Sequence, residues 1–225
     1  MIYSDFSLSP QGQAAVGNDG VKPRVAVVIL NFNGRSFLER FLDQVKKSLK
    51  GAARLVVADN GSADDSVEYL HREHPDVALI CLDRNLGYAG GYNKALGQLE
   101  EEYWVLLNSD IEVSRSWLEP LVSFMDQHVT VAACQPKLLD FYHRDRFEYA
   151  GASGGFLDVL GFPFCRGRIF QHLETDRGQY NQAIETFWAS GACMMVRAAA
   201  FRQAGGFDAD FFAHMEEIDL CWRLQ

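Results

Sequence analysis

The sequence predicts an α/β fold in which a central sheet of mostly parallel strands is covered by helices on both faces. Short aliphatic and aromatic runs alternate along the chain with segments whose apolar residues recur at helical spacing. Parallel strands need a crossover between them, usually a helix, so this alternation is typical of a doubly wound sheet. At 225 residues, 48% of them hydrophobic, the chain is long enough to form one such domain.

Strand and helix pairs are clearest in the first 135 residues. The predicted strands are residues 25–30, 54–58, 77–82, 103–107 and 130–134. The predicted helices contain residues 37–45, 66–70, 92–99 and 117–124, with residues 83–91 as a glycine-containing loop. Continuous aliphatic runs such as residues 25–30 indicate strands buried on both faces.

The remainder of the chain is less regular. Residues 139–181 are expected to be loops or short antiparallel strands, and residues 187–196 a buried strand or strand pair. Residues 198–204 predict a helix closed by Gly205 and Gly206, and residues 211–225 a last helix. We expect residues 1–23 to be a disordered arm or a cloning remnant, and residues 24–225 to be a domain truncated at its C-terminus, because its last helix has no capping glycine.

Composition excludes several classes of protein. The net charge of −9 argues against a nucleic-acid partner, and no apolar stretch is long enough for a membrane helix. The five cysteines are far apart and form no CxxC pair, so we expect them to be reduced. With no leader sequence, this predicts a cytoplasmic protein, which could act at the inner face of a membrane.

Polar clusters follow three of the predicted strands. They are residues 31–34 (NFNG), 59–62 (DNGS) and 108–110 (NSD). Each alone is also what a turn requires, but the carboxyl ends of parallel strands share one edge, where ligands of open α/β sheets bind. Asp110 and Glu112 have no basic neighbour in sequence before Arg115, which favours a divalent cation such as Mg²⁺ or Mn²⁺.

A fourth cluster combines a histidine, two phenylalanines and three carboxylates in residues 211–219. Repulsion and partial burial are expected to raise the pKa of at least one carboxyl group, as a general base requires. Asp219 lies four residues before Arg223, so a structural salt bridge is expected there. Glu216 and Glu217 have no such partner nearby in sequence.

Taken together and in order, these segments resemble a known family. VVILNFNG, VVADNGSADDS, NLGYAGGYNKAL, LLNSDIEV and the segment from ASGACMMV to EEIDLCWR resemble the inverting glycosyltransferases of family 2, in particular a rhamnosyltransferase-like branch. The resemblance implies the GT-A fold, a Rossmann-like three-layer αβα sandwich.

The resemblance also implies roles for individual residues. Donor contacts would come from Asn31, Phe32, Asn33, Asp59, Asn85, Gly87, Asn93, Asn108 and Ser109. The sugar and acceptor pocket would include Trp188, Gly191, Ala192 and His214. Asp110 would bind the divalent cation, Mn²⁺ or Mg²⁺. It would be the one carboxylate of the motif formed by residues 108–110, because the first position of that motif is Asn108. Glu217 would be the catalytic base, with Glu216 beside it, where the family more often has an aspartate.

The function implied is transfer of a sugar, with inversion, from a UDP- or dTDP-sugar to a hydroxyl group of a glycan or lipid-linked acceptor in cell-envelope polysaccharide synthesis. Membrane association would come through a missing C-terminal part. Two alternatives stay open from the sequence. One is a sugar nucleotidyltransferase, although residues 31–37 lack its glycine- and basic-rich loop. The other is a donor-binding module that is inactive in this truncated form.

Overall fold

A mixed eight-stranded sheet forms the centre of the protein. We describe it from a computed structural model, in which residues 2–4 and 23–225 are described. The strands, in chain order, are β1 (Ile2–Ser4), β2 (Val25–Asn31), β3 (Arg54–Asp59), β4 (Ala78–Cys81), β5 (Tyr103–Asn108), β6 (Ala133–Gln135), β7 (Gly155–Leu157), β8 (Pro163–Cys165), β9 (Arg168–Ile169), β10 (His172–Leu173), β11 (Ile184–Thr186) and β12 (Cys193–Arg197).

The parallel part of this sheet has the strand order β4-β3-β2-β5. Beyond β5 the sheet continues as β12-β6-β1-β11, and β12 is antiparallel to both β5 and β6. Because the chain runs from β2 outward to β4 and then returns to place β5 on the other side of β2, the strand order reverses between β2 and β5. Ligands of open α/β sheets bind at such a reversal, outside the carboxyl ends of the strands.

Helices cover the sheet on both faces and create two apolar layers. They are α1 (Arg35–Leu49), α2 (Ser66–Glu73), α3 (Gly87–Leu96), α4 (Leu118–Gln127), α5 (Ala198–Gln203) and α6 (Glu216–Arg223). Alternate side chains of β2 separate the layers: Val27 packs with α1 and α4, whereas Val28 belongs to the core that contains α3, α5 and α6. This alternation of Cβ direction along buried strands produces the predicted αβα sandwich.

A second, antiparallel sheet of four short strands, β7 to β10, follows the parallel part of the chain. This sheet packs against the segment between β11 and β12 at Gly155. The Gly155 backbone hydrogen-bonds to the Trp188 backbone, and the Trp188 indole ring occupies the space that a side chain at Gly155 would need. The expectation of short antiparallel strands in residues 139–181 is therefore confirmed.

Several predicted boundaries need correction. Helix α3 begins at Gly87, within the expected loop of residues 83–91, because Asn85 Oδ1 accepts the Gly87 N–H at 2.8 Å and Asn60 Oδ1 accepts the Leu86 N–H at 3.0 Å. Residues 187–196 are not one strand, since β11 ends at Thr186 and β12 begins at Cys193. The last helix begins at Glu216, after a tight turn, and not near Phe211.

Other expectations hold. Helix α5 is followed by Gly205 and Gly206, both with positive φ (83° and 76°), which confirms the glycine C-cap. All five cysteines are free thiols. In the part of the chain that the structure describes, no helix is long and apolar enough to cross a membrane.

The expected arm of residues 1–23 lies mostly outside the described residues. Ile2–Ser4 differ from that expectation, because they form β1, which pairs in parallel with β6 and antiparallel with β11.

Candidate functional site

The polar clusters at the strand ends meet at one edge of the sheet. In the strand register, Asn31 pairs with Asp59 across β2 and β3, and Leu30 pairs with Asn108 across β2 and β5. The Asn108 N–H donates to the carbonyl of Ala192, which precedes β12, at 3.0 Å. The predicted convergence is therefore confirmed, and it occurs where the strand order reverses.

Asn31 and Asp59 form a buried hydrogen-bonded pair at this edge. Asn31 Nδ2 donates to Asp59 Oδ2 at 3.0 Å, and the Ser62 N–H donates to Asp59 Oδ1 at 2.9 Å. Ser62 Oγ also accepts the Asn33 N–H at 2.9 Å, while Asn33 Oδ1 accepts the Ala63 N–H at 2.7 Å. These hydrogen bonds join the loop after β2 to the loop after β3 and hold the two loops against each other.

Phe32 is the exposed apolar group of this edge. Its side chain is 47% exposed between the tied residues Asn31 and Asn33. A flat ring presented on a fixed backbone is suited to stack on a planar heterocycle.

Asp110 is an exposed carboxylate two residues after the end of β5. No described residue donates a hydrogen bond to it, and the described residues contain no group of three His, Cys, Asp or Glu side chains that could hold a metal ion. A single free carboxylate is compatible with Mg²⁺ or Mn²⁺ when a diphosphate supplies further oxygens. Glu112 is not a second free carboxylate, as its sequence context suggested, because Arg144 forms a salt bridge with it at 2.6 Å.

Three of the predicted donor residues make internal contacts. Asn85 Oδ1 accepts both the Gly87 N–H and an N–H of Asn60, and Asn93 exchanges two hydrogen bonds with the Phe207 backbone, at 2.8 and 2.9 Å. A Cβ on Gly87 would lie 2.3 Å from the carbonyl oxygen of Phe212. Donor contact by these residues stays a prediction. The hydrogen bonds of Asn93 attach α3 to the segment that precedes α6, whereas those of Asn85 lie at the start of α3.

The predicted sugar pocket lies at the junction of α3 and β12. The Tyr88 hydroxyl donates to the Gly191 carbonyl at 2.6 Å, so a side chain at Gly191 would collide with that ring. Trp188 is 6% exposed, and its indole N–H donates to the Phe156 carbonyl at 3.1 Å. Gly191 and Ala192 therefore lie beside the strand-end groups, whereas Trp188 packs behind them.

Residues 211–215 form a strained turn that leads into α6. Phe212 has φ 59° and ψ −65°, and the Ala213 N–H donates to the Phe211 carbonyl at 2.6 Å, which defines a classic γ-turn. His214 and Met215 then both have positive φ, 75° and 73°. Non-glycine residues in such conformations cost about 1–3 kcal/mol each and persist only where their surroundings hold them. Here the Phe212 carbonyl accepts the Ala89 N–H of α3 at 3.2 Å.

Two carboxylates, Glu216 and Glu217, lie in the first helical turn of α6, directly after this segment. Glu216 is 4% exposed, and one carboxylate oxygen of Glu216 and one of Glu217 are buried without a hydrogen-bond partner among the described residues. Burial, followed by repulsion from Glu216, raises the pKa of Glu217 to about 7. Burial also raises the pKa of Glu216, although the nearby His214, which is exposed, lowers it in part. The expected elevation of a carboxyl pKa in this cluster is confirmed.

Glu216 and Glu217 lie at the N-terminus of α6, where the helix dipole by itself would lower the pKa of a carboxyl group. A helix N-terminus stabilises a negative charge by about 0.3–1 kcal/mol, which corresponds to less than one unit of pKa. The pKa of Glu217 nevertheless rises from 4.5 to about 7. Desolvation therefore exceeds the helix dipole at this position.

Asp219 has the structural role expected from its spacing. Arg223 Nε donates to Asp219 Oδ2 at 3.0 Å, and the same guanidinium donates to the carbonyl of Gly206 at 2.7 Å. This confirms the salt bridge and fixes α6 to the end of α5.

Sequence reasoning gave Asn60 no role of its own and missed Tyr88. Asn60 hydrogen-bonds to the start of α3, and the Tyr88 hydroxyl joins α3 to the Gly191 carbonyl. Burial, then Tyr92 and the Glu217 and Glu216 carboxylates, raise the pKa of Tyr88 well above its usual value. Tyr88 directly follows Gly87, a predicted donor residue, in the segment NLGYAGGYNKAL. Its place in that segment is the one sequence feature that could have indicated a role in the site.

The comparisons with known proteins agree with this geometry. Residues 26–205 match the model of Glycosyl transferase family 2. The chain belongs to glycosyltransferase family 2. Among curated family members, N-acetylglucosaminyl-diphospho-decaprenol L-rhamnosyltransferase of Mycobacterium tuberculosis is 29% identical over 213 residues, or 88% of this chain and 69% of that protein. The O-antigen biosynthesis protein RfbC of Myxococcus xanthus is 31% identical over 180 residues, or 76% of this chain and 13% of that protein.

Solved structures show the same fold. The mannosyltransferase PcManGT of Pyrobaculum calidifontis, in complex with GDP-Man and Mn²⁺, matches with a TM-score of 0.59 at 19% identity, over 94% of this chain and 54% of that chain. TarS 1–349 of S. aureus, in complex with UDP, matches with a TM-score of 0.61 at 17% identity, over 89% of this chain and 54% of that chain. The GT-A fold implied by the resemblance is confirmed, and the chain spans about half the length of these structures.

Proposed function

We propose that the protein transfers a sugar from a nucleoside-diphosphate sugar to an acceptor hydroxyl group, with inversion at the anomeric carbon. The observation that carries the proposal is the buried carboxyl group of Glu217, with a pKa of about 7, in a chain of glycosyltransferase family 2. A general base works best when its pKa lies near the operating pH.

The reaction is a single displacement. Glu217 accepts the proton of the acceptor hydroxyl as the oxygen bonds to the anomeric carbon, and the nucleoside diphosphate leaves from the opposite face. Attack and departure on opposite faces invert the configuration, as they do in inverting glycosidases. Glu216 assists indirectly, because its charge helps to keep the pKa of Glu217 high.

The donor would occupy the edge at the ends of β2, β3 and β5. Phe32 would stack on the base, the Asn31–Asp59 unit would hold the ribose side, and Asn108 and Ser109 would face the diphosphate. Asp110 is the residue that would hold a divalent cation, Mn²⁺ or Mg²⁺, and such a cation neutralises charge on a leaving diphosphate. Support for Mn²⁺ is the metal in the PcManGT complex.

The names of the relatives suggest the substrates. The rhamnosyltransferase of M. tuberculosis is named for an N-acetylglucosaminyl-diphospho-decaprenol acceptor, and the Escherichia coli rhamnosyltransferase WbbL is 46% identical over 37 residues. We propose a UDP- or dTDP-sugar donor, a rhamnosyl donor being the first to test. The acceptor would be a glycan or a lipid-linked sugar at the cytoplasmic face of the membrane.

Calorimetric titration with UDP-, GDP- and dTDP-sugars, each with and without Mn²⁺, tests donor binding. We expect one nucleotide class to bind, more tightly with Mn²⁺, and the metal dependence to disappear in Asp110→Asn. Glu119→Gln, an exposed carboxylate on α4, is the control and should bind the donor as the unaltered protein does. If none of these nucleotide sugars binds, the proposed function is wrong.

A further inference from the structure

Three consecutive residues at the start of α3 contact both sides of the candidate site. The Tyr88 hydroxyl donates to the Gly191 carbonyl at 2.6 Å. The next residue, Ala89, donates its N–H to the Phe212 carbonyl at 3.2 Å. The preceding residue, Gly87, lies so close that an added Cβ would be 2.3 Å from the same Phe212 oxygen. The start of α3 therefore holds the backbone before β12 and also the turn that leads to α6.

Gly191 is required by the close approach of Tyr88. An added Cβ at Gly191 would lie 2.5 Å from the Tyr88 hydroxyl oxygen and 3.0 Å from the ring carbon that carries it. Gly191 does not have a positive φ, so the backbone conformation that favours glycine is not the reason for a glycine here. The position lacks a side chain because the Tyr88 hydroxyl occupies the space.

The segment that contains Gly191 lies between β11 and β12 and belongs to neither strand. The carbonyl of the next residue, Ala192, accepts the Asn108 N–H at 3.0 Å, which joins the segment to the end of β5. For the Gly191 carbonyl, the Tyr88 hydroxyl is the one hydrogen-bond donor among the described residues. Removal of that hydroxyl would therefore release the Gly191 peptide from α3.

The Tyr88 ring is fixed by two other aromatic side chains. Its centroid lies 4.6 Å from that of Tyr92, one turn later in α3, and 5.8 Å from that of Phe207. Tyr92 is completely buried, and Phe207 is 3% exposed. Because both neighbours belong to the packed core, the Tyr88 hydroxyl has a defined position.

We propose that Tyr88 is a positioning residue that sets the shape of the sugar subsite, the part of the pocket bordered by Gly191 and Ala192. This rests on the proposed function, in which those two residues border the transferred sugar and the nucleotide lies at the ends of β2, β3 and β5. The hydrogen bond of Tyr88 goes to the first of these regions. Loss of the hydroxyl should therefore weaken binding of the sugar and leave binding of the nucleotide unchanged.

Calorimetry with a nucleoside diphosphate and with its nucleotide sugar separates the two contributions. The pairs are UDP with UDP-N-acetylglucosamine and dTDP with dTDP-rhamnose, all in the presence of Mn²⁺. We expect Tyr88→Phe to bind the nucleoside diphosphate as the unaltered protein does. It should bind the nucleotide sugar about three- to tenfold more weakly, a loss comparable to that of one hydrogen bond.

Gly191→Ala approaches the same contact from the other side. Its added methyl group should displace the segment from Tyr88 and weaken binding of the nucleotide sugar without weakening that of the nucleoside diphosphate. In the double variant of Tyr88→Phe and Gly191→Ala, the atom at 2.5 Å is gone and the nearest one is the ring carbon at 3.0 Å. The further loss caused by Gly191→Ala should therefore be smaller in Tyr88→Phe than in the unaltered protein.

Tyr103→Phe is the matched control. It also removes a tyrosine hydroxyl, which donates to Asp126 at 2.8 Å, but Tyr103 is the first residue of β5 and lies at the end of that strand away from the site. It should bind both ligands as the unaltered protein does, and every variant should keep the unaltered circular dichroism spectrum.

Two results would overturn the role of Tyr88 alone. One is the same ratio of the two affinities in Tyr88→Phe and in the unaltered protein. The other is an equal loss of both affinities in Tyr88→Phe, which would mean that the hydroxyl only stabilises the fold. Absence of binding of every ligand by the unaltered protein is a different result, because it would refute the proposed function and the role of Tyr88 with it.

Discussion

The two sides of the proposed site differ in how far their polar groups are paired. On the side proposed to bind the donor, Asn31, Asp59 and Ser62 are joined by hydrogen bonds of 2.9–3.3 Å, although Asn31 Oδ1 is buried without a partner among the described residues. On the base side, residues 211–215 contain a γ-turn and two further positive-φ residues, and they lead to carboxylates with buried, unpartnered oxygens.

We relate this difference to the two tasks proposed for the site, donor binding and proton transfer. The hydrogen bonds among Asn31, Asp59 and Ser62 hold that surface in one shape before a ligand arrives, which lowers the entropy cost of binding. An unpartnered buried carboxylate is destabilising in the folded protein, but it is a stronger proton acceptor than a solvated one once it is ionised. Hydrogen bonds from Ala89 and Asn93 of α3 hold the strained side in place.

The largest expected effect is the loss of sugar transfer in Glu217→Gln. Removal of a general base costs about 10²–10⁴-fold in rate. Because Gln has nearly the same shape, donor affinity measured by calorimetry should stay unchanged while kcat falls. A Glu217→Gln protein that retains full kcat would remove Glu217 from the mechanism.

The same substitution should stabilise the protein at alkaline pH. Since the folded pKa of Glu217 is raised from 4.5 to about 7, the folded state binds more protons than the unfolded state between these values, and stability falls as pH rises through 7. Urea unfolding should show Glu217→Gln about 1–3 kcal/mol more stable than the unaltered protein at pH 8, and equal to it at about pH 3.5, below the unfolded pKa. Glu119→Gln, another first-turn glutamate, should show a difference below about 0.5 kcal/mol at both pH values.

On the donor side, Gly61→Ala should destabilise. Gly61 has φ 75°, and an added Cβ would lie 2.6 Å from the backbone of Arg84. We expect a loss of about 2 kcal/mol in the free energy of unfolding, together with weaker donor binding. Gly51→Ala is the control for conformation alone, because Gly51 has φ 80° but nothing within 4 Å of an added Cβ. An equal loss in both variants would show that the close approach to Arg84 carries no cost.

The smallest expected effect has the opposite sign and lies on the base side. Met215→Gly removes a side chain from a residue with φ 73° at the N-cap of α6. Relief of that strain should raise the free energy of unfolding by about 1 kcal/mol. Thermal denaturation should show this increase, and a decrease would mean that the exposed Met215 side chain stabilises the turn by more than its backbone strain costs.

The two sides also differ in how far the sequence could predict them. The strand ends were predictable because residues 25–30 and 103–107 are uninterrupted apolar runs, and the polar residues follow each run at once. The pairing of Asn31 with Asp59 needed only the register of neighbouring parallel strands.

The base side was less predictable. Apolar spacing in residues 211–225 suggests one helix, and nothing local shows that residues 212, 214 and 215 have positive φ. Part of what holds this turn is distant in sequence, since the Phe212 carbonyl accepts the Ala89 N–H of α3. The start of α3 at Gly87 was missed for a similar reason, since it depends on a hydrogen bond from Leu86 to the distant Asn60. The salt bridge of Glu112 with Arg144 likewise joins residues 32 positions apart.

The pH dependence of kcat/KM for sugar transfer tests the central claim, that Glu217 is a buried base with a raised pKa, most directly. For the unaltered protein we predict an acid limb with a midpoint near the Glu217 pKa of about 7. In Glu216→Gln the midpoint should move to lower pH but stay above 4.5, because burial is the larger cause of the shift. An acid limb with the same midpoint in both proteins, or one at the ordinary glutamate pKa, would contradict the account.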